Sequence, residues 1–318
     1  MSTNAPILIP TLNRFEHFQN CVESLSICTE ATSTDLFIAL DYPKTENHCA
    51  GYRKIRDYIK VIRGFKTVTI IERNINYGPE RNLFEAITEI FNNYDRLILS
   101  EDDNIFSPDF LHFINYGLDV YKDRQDIFSV SGYNYPIEPV SSGIEPAYLW
   151  TGFSAWGVGI WKNKWNQLDF SRENVMNKVG QFLANLNKVR KLNKVANHYI
   201  PGLVNMLKKG KVHADGFICM HLFLKNMYSV FPYESRVRNM GNDGSGINCG
   251  NIENDRYKLQ PLYTGSKRYE LFIDLRPDSN TNTALSRHFR QKLRSRIKLI
   301  IQLLLIKVQD PVKVKTTN

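Results

Sequence analysis

The sequence predicts an α/β fold with a mostly parallel central sheet flanked by helices, and three observations lead to this prediction. Short apolar segments alternate with segments of helical periodicity over roughly the first hundred residues. Polar residues directly follow the apolar segments. The remainder of the chain adds a polar helical insertion at about 162–211 and a basic amphipathic segment at the C-terminus. Alternation of strand and helix is typical of a parallel sheet covered on both faces.

The first half of the chain contains four predicted strands and three helices that connect them. The strands are predicted at residues 6–10, 35–41, 67–71 and 97–99, and the helices at 15–26, 51–62 and 79–93. Pro79 suits the first position of its helix, because an N–H at that position would have no helical partner. In a parallel sheet the carboxyl ends of the strands lie at one edge, and ligands bind beyond that edge.

The second half of the chain continues the pattern less regularly. A helix is expected at 108–121, a strand at 127–132, an apolar helix at 217–224 and a strand at 228–232. Trp150, Trp156 and Trp161 alternate with glycine and other small residues. Two interpretations of these tryptophans stay open: their rings stack on sugars or line a cleft, or they are part of the core.

Three consecutive acids, Glu101, Asp102 and Asp103, follow the fourth predicted strand. Their carboxylates repel one another, so we expect them to face a shared cation. Mg²⁺ and Mn²⁺ are commonly held by one or two carboxylates together with the phosphates of a substrate. The alternative is an acidic turn without a ligand.

Polar residues also follow the other three strands of the first half. They are Thr11, Asn13 and Arg14 after the first strand, Asp41 after the second, and Asn76 and Gly78 after the third. An acidic turn alone does not explain polar groups at four neighbouring strand ends. The combination favours a nucleotide-binding site at the carboxyl edge of the sheet.

Asp215 precedes the apolar helix at 217–224, and two interpretations of it stay open. It is well placed to cap that helix. Alternatively, a carboxylate that faces a cleft can take a proton as a general base. The loop at 239–249 is rich in Gly, Asn, Asp and Ser and can present backbone N–H groups to phosphates.

The formal net charge is +9, but it is unevenly distributed. Residues 287–318 contain nine Lys or Arg and one Asp, a net +8, which leaves about +1 for the rest of the chain. A nucleic-acid-binding domain would need a basic face, so we do not expect nucleic acid as a partner. The five scattered cysteines lack paired metal spacing and fit a reducing cytosol. The sequence shows neither a signal peptide nor a membrane-spanning segment.

The segment 286–306 combines apolar and basic residues at the spacing of an amphipathic helix. Its apolar residues are Phe289, Leu293, Ile297, Ile300, Ile301 and Leu304, and its basic residues are Arg290, Lys292, Arg294, Arg296 and Lys298. Such helices lie on anionic membrane surfaces. The alternatives are a helix packed on the main domain and a helix that pairs with another subunit.

Four motifs together resemble the inverting glycosyltransferases of the GT-A fold. They are Pro10-Thr11-Leu12-Asn13-Arg14, Asp41, Asn76-x-Gly78 followed by Arg81-Asn82, and Glu101-Asp102-Asp103, a variant of the DxD motif. The sequence most resembles bacterial family 2 sugar transferases, and the Glu-Asp-Asp form also resembles the animal N-acetylglucosaminyltransferase I group. The resemblance covers about residues 5–250.

The resemblance implies a role for each matched residue. Pro10, Thr11 and Arg14 would border the nucleotide, Asp41 would bind the base, and Gly78 and Arg81 would lie near the nucleotide and its phosphates. Asp102 would contact the ribose and Asp103 would bind the metal. Glu101 would approach the donor sugar, and Asp215 would be the catalytic base. Related sequences often have His-Cys where this chain has Asn248-Cys249. The Asn at this position puts a third protein ligand of the metal in doubt.

The resemblance also implies Mn²⁺ or Mg²⁺ as cofactor, a nucleotide-sugar donor such as a UDP-sugar, and a glycan or lipid-linked acceptor of bacterial surface polysaccharide synthesis. We expect a domain at 1–285, with a nucleotide-binding half (1–132) and an acceptor half (133–285), and a tail at 286–318. The expected location is the cytoplasm, with the tail on the inner face of the cell membrane. The oligomeric state stays open.

Two other functions remain as alternatives. A sugar nucleotidyltransferase shares the parallel sheet and the metal-binding acids, but it would be expected to carry a glycine-rich basic loop after the first strand, and residues 10–14 contain no glycine. A non-catalytic nucleotide-sugar-binding protein would need no general base.

Overall fold

A computed structural model describes residues 4–137, 146–246, 257–265, 269–271 and 273–308 of the chain. The strands are β1 (Ile7–Thr11), β2 (Asp35–Leu40), β3 (Thr67–Glu72), β4 (Arg96–Leu99), β5 (Asn104–Phe106), β6 (Ile127–Ser131), β7 (Ala147–Trp150), β8 (Val158–Trp161), β9 (Tyr228–Pro232) and β10 (Val237–Asn239). The helices are α1 (Phe15–Ser26), α2 (Glu46–Ile59), α3 (Pro79–Phe91), α4 (Phe110–Val120), α5 (Lys162–Trp165), α6 (Arg172–Ala184), α7 (Leu186–Val195), α8 (Tyr199–Lys209), α9 (Ala214–Lys225), α10 (Ser279–His288) and α11 (Leu293–Val308).

The described strands form an eight-stranded sheet in the order β3-β2-β1-β4-β8-β6-β9-β7. Strands β1 to β4 are mutually parallel, as are β6 and β9, while β8 and β7 run antiparallel to their neighbours. The prediction of a mostly parallel α/β sheet flanked by helices is therefore confirmed.

The sheet is covered on both faces. Ile7 and Ile9 of β1 belong to the core cluster that contains Phe18 of α1 and Ile55 of α2. Leu8, between them, belongs to the cluster that contains Ile87 of α3. Alternate side chains of a strand point to opposite faces, so burial on both sides explains why the strand is apolar throughout.

The antiparallel direction of β8 brings its first residues to the carboxyl edge of the sheet. Leu99, the last residue of β4, pairs with Val158, the first residue of β8. Ser131 at the end of β6 also pairs with Val158. Trp156, just before β8, therefore lies beside the acidic segment that follows β4.

A two-stranded antiparallel ribbon lies next to this edge and was not predicted. Asn104 of β5 pairs with Asn239 of β10, and Phe106 pairs with Val237. The three acids lie between β4 and β5, so they are held at both ends by strands. The ribbon also carries the glycine-rich segment after β10 to the acids.

Helix α2 begins five residues earlier than expected, at Glu46 rather than Gly51. Gly51 is not a helix boundary. A Cβ at this position would lie 1.9 Å from the backbone oxygen of Asn13, so the glycine permits close contact between α2 and the loop after β1.

The insertion at 162–211 is helical, as predicted, and comprises α5 to α8. Helices α6 to α8 share a second core cluster with β7 and α9, which includes Trp150 and Phe217. Of the three tryptophans left open by the sequence, Trp150 and Trp161 are buried in the core, whereas Trp156 is partly exposed.

The expected single amphipathic helix at 286–306 is instead two helices, α10 and α11, and α10 crosses the proposed domain boundary at residue 285. Phe289 follows α10 and does not belong to an exposed face. Its ring stacks on His198, with ring centroids 3.7 Å apart, and on Trp150, at 5.9 Å.

Within the described part of the chain, no helix has both the length and the hydrophobicity to cross a bilayer.

Candidate functional site

The acids after β4 are largely enclosed by protein. Asp102 is 6 % exposed and Asp103 is 3 % exposed. The three carboxylates point in different directions: those of Asp102 and Asp103 contact Arg14, whereas that of Glu101 contacts Trp156.

Asp102 accepts hydrogen bonds from two residues at or just after the end of strand β1. Thr11, which comes directly after Pro10 at the end of β1, donates its hydroxyl to Asp102 Oδ2 at 2.9 Å. Arg14 Nη2 donates to Asp102 Oδ1. Burial nevertheless raises the pKa of Asp102, with the neighbouring Asp103 acting in the same direction and Arg14 opposing it.

Asp103 is bound from both sides. Arg14 Nη2 lies 2.8 Å from Asp103 Oδ2, and Asn239 Nδ2 donates to Oδ1 at 2.7 Å. The backbone N–H of Met240 donates to the Asp103 carbonyl at 2.8 Å. Gly241 packs so closely that an added Cβ would lie 2.2 Å from Oδ2. All four carboxylate oxygens of Asp102 and Asp103 thus have protein donors.

Glu101 lies on the other side of the acidic segment. Trp156 Nε1 donates to Glu101 Oε2 at 3.1 Å. Burial raises the pKa of Glu101 well above its usual range, and the nearby carboxylates of Asp103, Asp215 and Asp102 raise it further. Glu101 and Asp215 are therefore electrostatic neighbours, although Asp215 lies more than a hundred residues away in the sequence.

Asp215 lies in the first turn of α9. The residue at the helix cap is His213, and it makes no capping hydrogen bond through its side chain. Among the described residues, no hydrogen bond is made by the Asp215 carboxylate. Burial raises its pKa, and His213 opposes this. Asp215 therefore does not occupy the cap position of α9, and its role as a general base stays a prediction.

Both carboxylate oxygens of Asp41 accept hydrogen bonds, mainly from the loop after β3. Its Oδ1 accepts hydrogen bonds from the backbone N–H groups of Tyr42 at 2.9 Å and Tyr77 at 2.8 Å. Its Oδ2 accepts from the N–H of Gly78 at 2.9 Å and from Asn76 Nδ2 at 3.1 Å. Recognition of a nucleobase by Asp41 stays a prediction; what the structure shows is an anchor for the loop.

Gly78 and Arg81 lie at the start of α3. Gly78 has a φ of +76°, a conformation that favours glycine, and precedes Pro79 at the first helical position. Arg81 pairs with Glu85 at 2.7 Å and lies 3.8 Å from the centre of the Tyr77 ring. These partners are not the acids after β4, so the proximity of Arg81 to phosphates stays a prediction.

The described residues contain no group of three or more His, Cys, Asp or Glu side chains arranged to hold a metal ion. The shared site expected for all three acids is thus not present in this arrangement. Asp102 and Asp103 still supply hard oxygen ligands of the kind that suit Mg²⁺ or Mn²⁺. The group between them is itself a cation, the guanidinium of Arg14. The two aspartates therefore fit a divalent ion, which would take the place of Arg14.

Three residues of the site were not identified from the sequence: Trp156 in its role at Glu101, Asn239 and Gly241. Asn239 ends β10 and Gly241 follows it, and the pairing of β10 with β5 has no local sequence signal. The composition of the segment 239–249 predicts phosphate binding and was the available signal. Asn248 and Cys249 lie outside the described residues.

Comparisons with known proteins give distant similarities only. No family model matches the sequence, and no curated protein matches it. Similar solved structures include the mannosyltransferase PcManGT from Pyrobaculum calidifontis in complex with GDP-Man and Mn²⁺, with 11% sequence identity and a TM-score of 0.36 over 50% of this chain and 45% of that one. Residues 1–349 of S. aureus TarS match with 11% identity and a TM-score of 0.37, over 53% of this chain and 50% of that chain. A second TarS structure matches with 9% identity and a TM-score of 0.32, over 49% and 28%.

The chain therefore spans half or less of the length of these structures. Similarities at these TM-scores do not assign a function, which has to be inferred from the site itself.

Proposed function

We propose that this protein is a metal-dependent glycosyltransferase. It would move a sugar from a nucleotide-sugar, such as a UDP-sugar, to a hydroxyl of a glycan or lipid-linked acceptor with inversion, in bacterial surface polysaccharide synthesis. One observation carries the proposal: a buried pair of aspartates and a separate pair of carboxyl groups with raised pKa values lie at the same edge of a parallel sheet. Asp102 and Asp103 form the first pair, and Glu101 and Asp215 form the second.

The first pair suits the donor. Asp102, with Thr11 and Arg14 around it, would bind the ribose, and Asp103 would hold the metal ion. When bound, that ion would supply positive charge to the leaving diphosphate. Arg14 can add a guanidinium to the same phosphates, since its fork of N–H donors matches phosphate oxygens.

The second pair suits the acceptor and the transferred sugar. Asp215 has no competing hydrogen bond and a raised pKa, and a general base works best when its pKa is near the working pH. It would take the proton of the acceptor hydroxyl as that oxygen attacks the anomeric carbon. A single displacement of this kind inverts the anomeric centre. Glu101, held by Trp156, would contact the donor sugar.

The test is sugar transfer by Asp103→Ala and Asp215→Asn, with donor binding measured separately. We expect Asp103→Ala to abolish turnover and to remove the metal dependence of donor binding. Asp215→Asn should lower turnover by at least about a hundredfold and leave donor affinity nearly unchanged. Asp57→Asn, an exposed residue of α2, is the control for loss of one negative charge. Native transfer rates in either variant would contradict the assignment, and a non-catalytic binding protein would show no transfer in any form.

We also propose that α11 lies on an anionic membrane surface. One side of the helix packs on α6 and α8 through Leu299, Leu303 and Ile306. The opposite side exposes six apolar residues: Leu293, Ile297, Ile300, Ile301, Leu304 and Leu305. At 100° per residue, Lys298 borders this stripe on one side and Arg296 on the other, while Arg294 lies within it between Ile301 and Leu305. An apolar stripe with basic flanks complements acyl chains and anionic headgroups.

The packing of α11 determines how the membrane proposal should be tested. Truncation at Leu285 would remove Leu303 and Phe289 from the core and so confuse unfolding with release. Ile297→Ser combined with Ile301→Ser changes exposed positions only. We expect this double variant to lose co-sedimentation with vesicles that contain phosphatidylglycerol.

The control for the membrane test is Ile27→Ser, which alters an equally exposed isoleucine after α1. Neutral phosphatidylcholine vesicles should bind the wild type weakly. Unchanged sedimentation of the double variant would refute the membrane surface. A concentration-dependent dimer lost in the same variant would instead identify a second copy as the partner.

A further inference from the structure

We propose that Arg14 is an internal counter-ion that competes with the divalent cation for Asp103, so that the ion enters only when Arg14 is drawn away by the diphosphate of the donor. This inference rests on the proposed function and adds to it an order of binding at the same site.

The contacts of Arg14 carry the proposal. Its Nη2 atom bridges Asp102 Oδ1 and, at 2.8 Å, Asp103 Oδ2. The two remaining oxygens accept from Thr11 at 2.9 Å and Asn239 at 2.7 Å. A metal ion bound to Asp103 needs one of these oxygens, so one protein donor has to leave.

Arg14 is the donor that can leave. Asn239 is 1 % exposed, and its side-chain oxygen accepts from the N–H of Gly241 at 3.0 Å, which fixes its orientation. Arg14 precedes α1 on the turn after β1, and its side chain is 19 % exposed. Arg14 is therefore partly accessible to solvent, whereas Asn239 is enclosed.

Charge repulsion prevents the Arg14 guanidinium and the divalent ion from binding Asp103 at the same time. A guanidinium and a divalent ion on the same carboxylate oxygen repel each other strongly in a buried setting. Release of Arg14 without a new partner would leave its charge poorly solvated, which opposes metal binding to the free protein. A nucleoside diphosphate supplies that partner, because Arg binds phosphate oxygens through two N–H groups. Metal and nucleotide should therefore bind with positive coupling, in which each raises the affinity of the other by the same factor.

The experiment measures Mn²⁺ binding by the loss of the free-ion electron paramagnetic resonance signal, with Mn²⁺ alone and with Mn²⁺ and UDP. Wild type is compared with Arg14→Met and Arg14→Lys. Arg56→Met is the matched control, since it removes the same charge from an exposed pair with Glu72. Thermal melting of each variant establishes that it is folded.

In the absence of UDP, we expect Arg14→Met to bind Mn²⁺ at least about tenfold more tightly than wild type, because the competitor is gone. Arg14→Lys should show a smaller gain, since the ammonium keeps the positive charge and so still competes with the ion for the carboxylates. Arg56→Met should match wild type. Asp103→Asn in the Arg14→Met background should abolish the gain.

The proposal is overturned if no folded Arg14 variant binds Mn²⁺ more tightly than wild type, or if the gain survives Asp103→Asn. The proposed function fails in a different way. If UDP changes Mn²⁺ affinity in none of the proteins while Arg14→Met still shows its gain, the donor assignment is wrong and the competition at Asp103 stands.

Discussion

The indole N–H of Trp156 donates a hydrogen bond to Glu101 Oε2 over 3.1 Å, which connects the start of β8 to the segment after β4. The Trp156 ring is itself held edge-on by Tyr133, with centroids 4.8 Å apart, and by Tyr257, at 5.8 Å. Gly157 follows with a φ of +70°, which permits the turn into β8. The position of the Glu101 carboxyl group is therefore fixed by an aromatic cluster.

Replacement of Trp156 by Phe should test this positioning. An aromatic ring is kept and the N–H donor is lost, so the Glu101 carboxyl group loses the hydrogen bond that orients it. We expect kcat/KM for sugar transfer to fall roughly 3- to 10-fold, with the loss mainly in kcat and little change in melting temperature. Trp165→Phe, in the core near α5, is the control. An equal loss in both variants would indicate a general packing effect.

The pH dependence of transfer should report Asp215. Its pKa is raised to about 6, and a general base acts only when deprotonated. As pH falls through this value the carboxylate gains a proton, so kcat/KM should decrease about tenfold per pH unit below pH 6. Asp215→Asn should lack this acid limb in its residual activity. A wild-type plateau that extends to pH 4.5 would contradict the raised pKa.

Gly241→Ala should disable the site through Asp103. The new Cβ would lie 2.2 Å from Asp103 Oδ2 and 2.8 Å from its Cγ, so the carboxylate has to move. We expect turnover to fall at least about tenfold and the unfolding free energy to fall by about 1–3 kcal/mol. Gly202→Ala in α8, where a Cβ meets nothing within 4 Å, should keep full activity. Native turnover in Gly241→Ala would show that Asp103 tolerates displacement.

Arg236→Met should destabilise the fold without a direct effect on the chemistry. Arg236 is 2 % exposed, pairs with Asp109 at 3.0 Å and lies 4.0 Å from the centre of the Phe113 ring. Its loss leaves a partly buried carboxylate without a cation, so the unfolding free energy should fall by about 3 kcal/mol in urea denaturation. Asp109→Asn in the same chain should restore part of this loss. If the second substitution adds a full independent loss, the ion pair is not the cause.

Much of the fold could be predicted because its signals are local. The helix predicted at 15–26 and the strand predicted at 228–232 match the structure to the residue. Each has a clear apolar period and lies between residues that do not continue it. The boundary at Gly51 was wrong because the sequence cannot show that a glycine serves close packing on Asn13 rather than a helix start.

The site could be predicted only in part, for a related reason. The acids and the residues of the β1 segment were recognised because they directly follow strands. The partners that complete the site are long-range: Asn239 reaches Asp103 from 136 residues away, and Trp156 reaches Glu101 from 55 residues away. Three-residue strands such as β5 and β10 carry too few residues to show a period. The sequence could not show that the three acids are divided, with Asp102 and Asp103 on Arg14 and Glu101 on Trp156.

The hydrogen bonds of Asp41 have a consequence for ligand affinity. Because both of its oxygens hold the backbone at Tyr77 and Gly78, the loop ahead of α3 is preorganised before any nucleotide arrives. A binding loop that is already ordered loses little conformational entropy on association. Asp41 would then strengthen donor binding by rigidity alone, whether or not it ever touches the base.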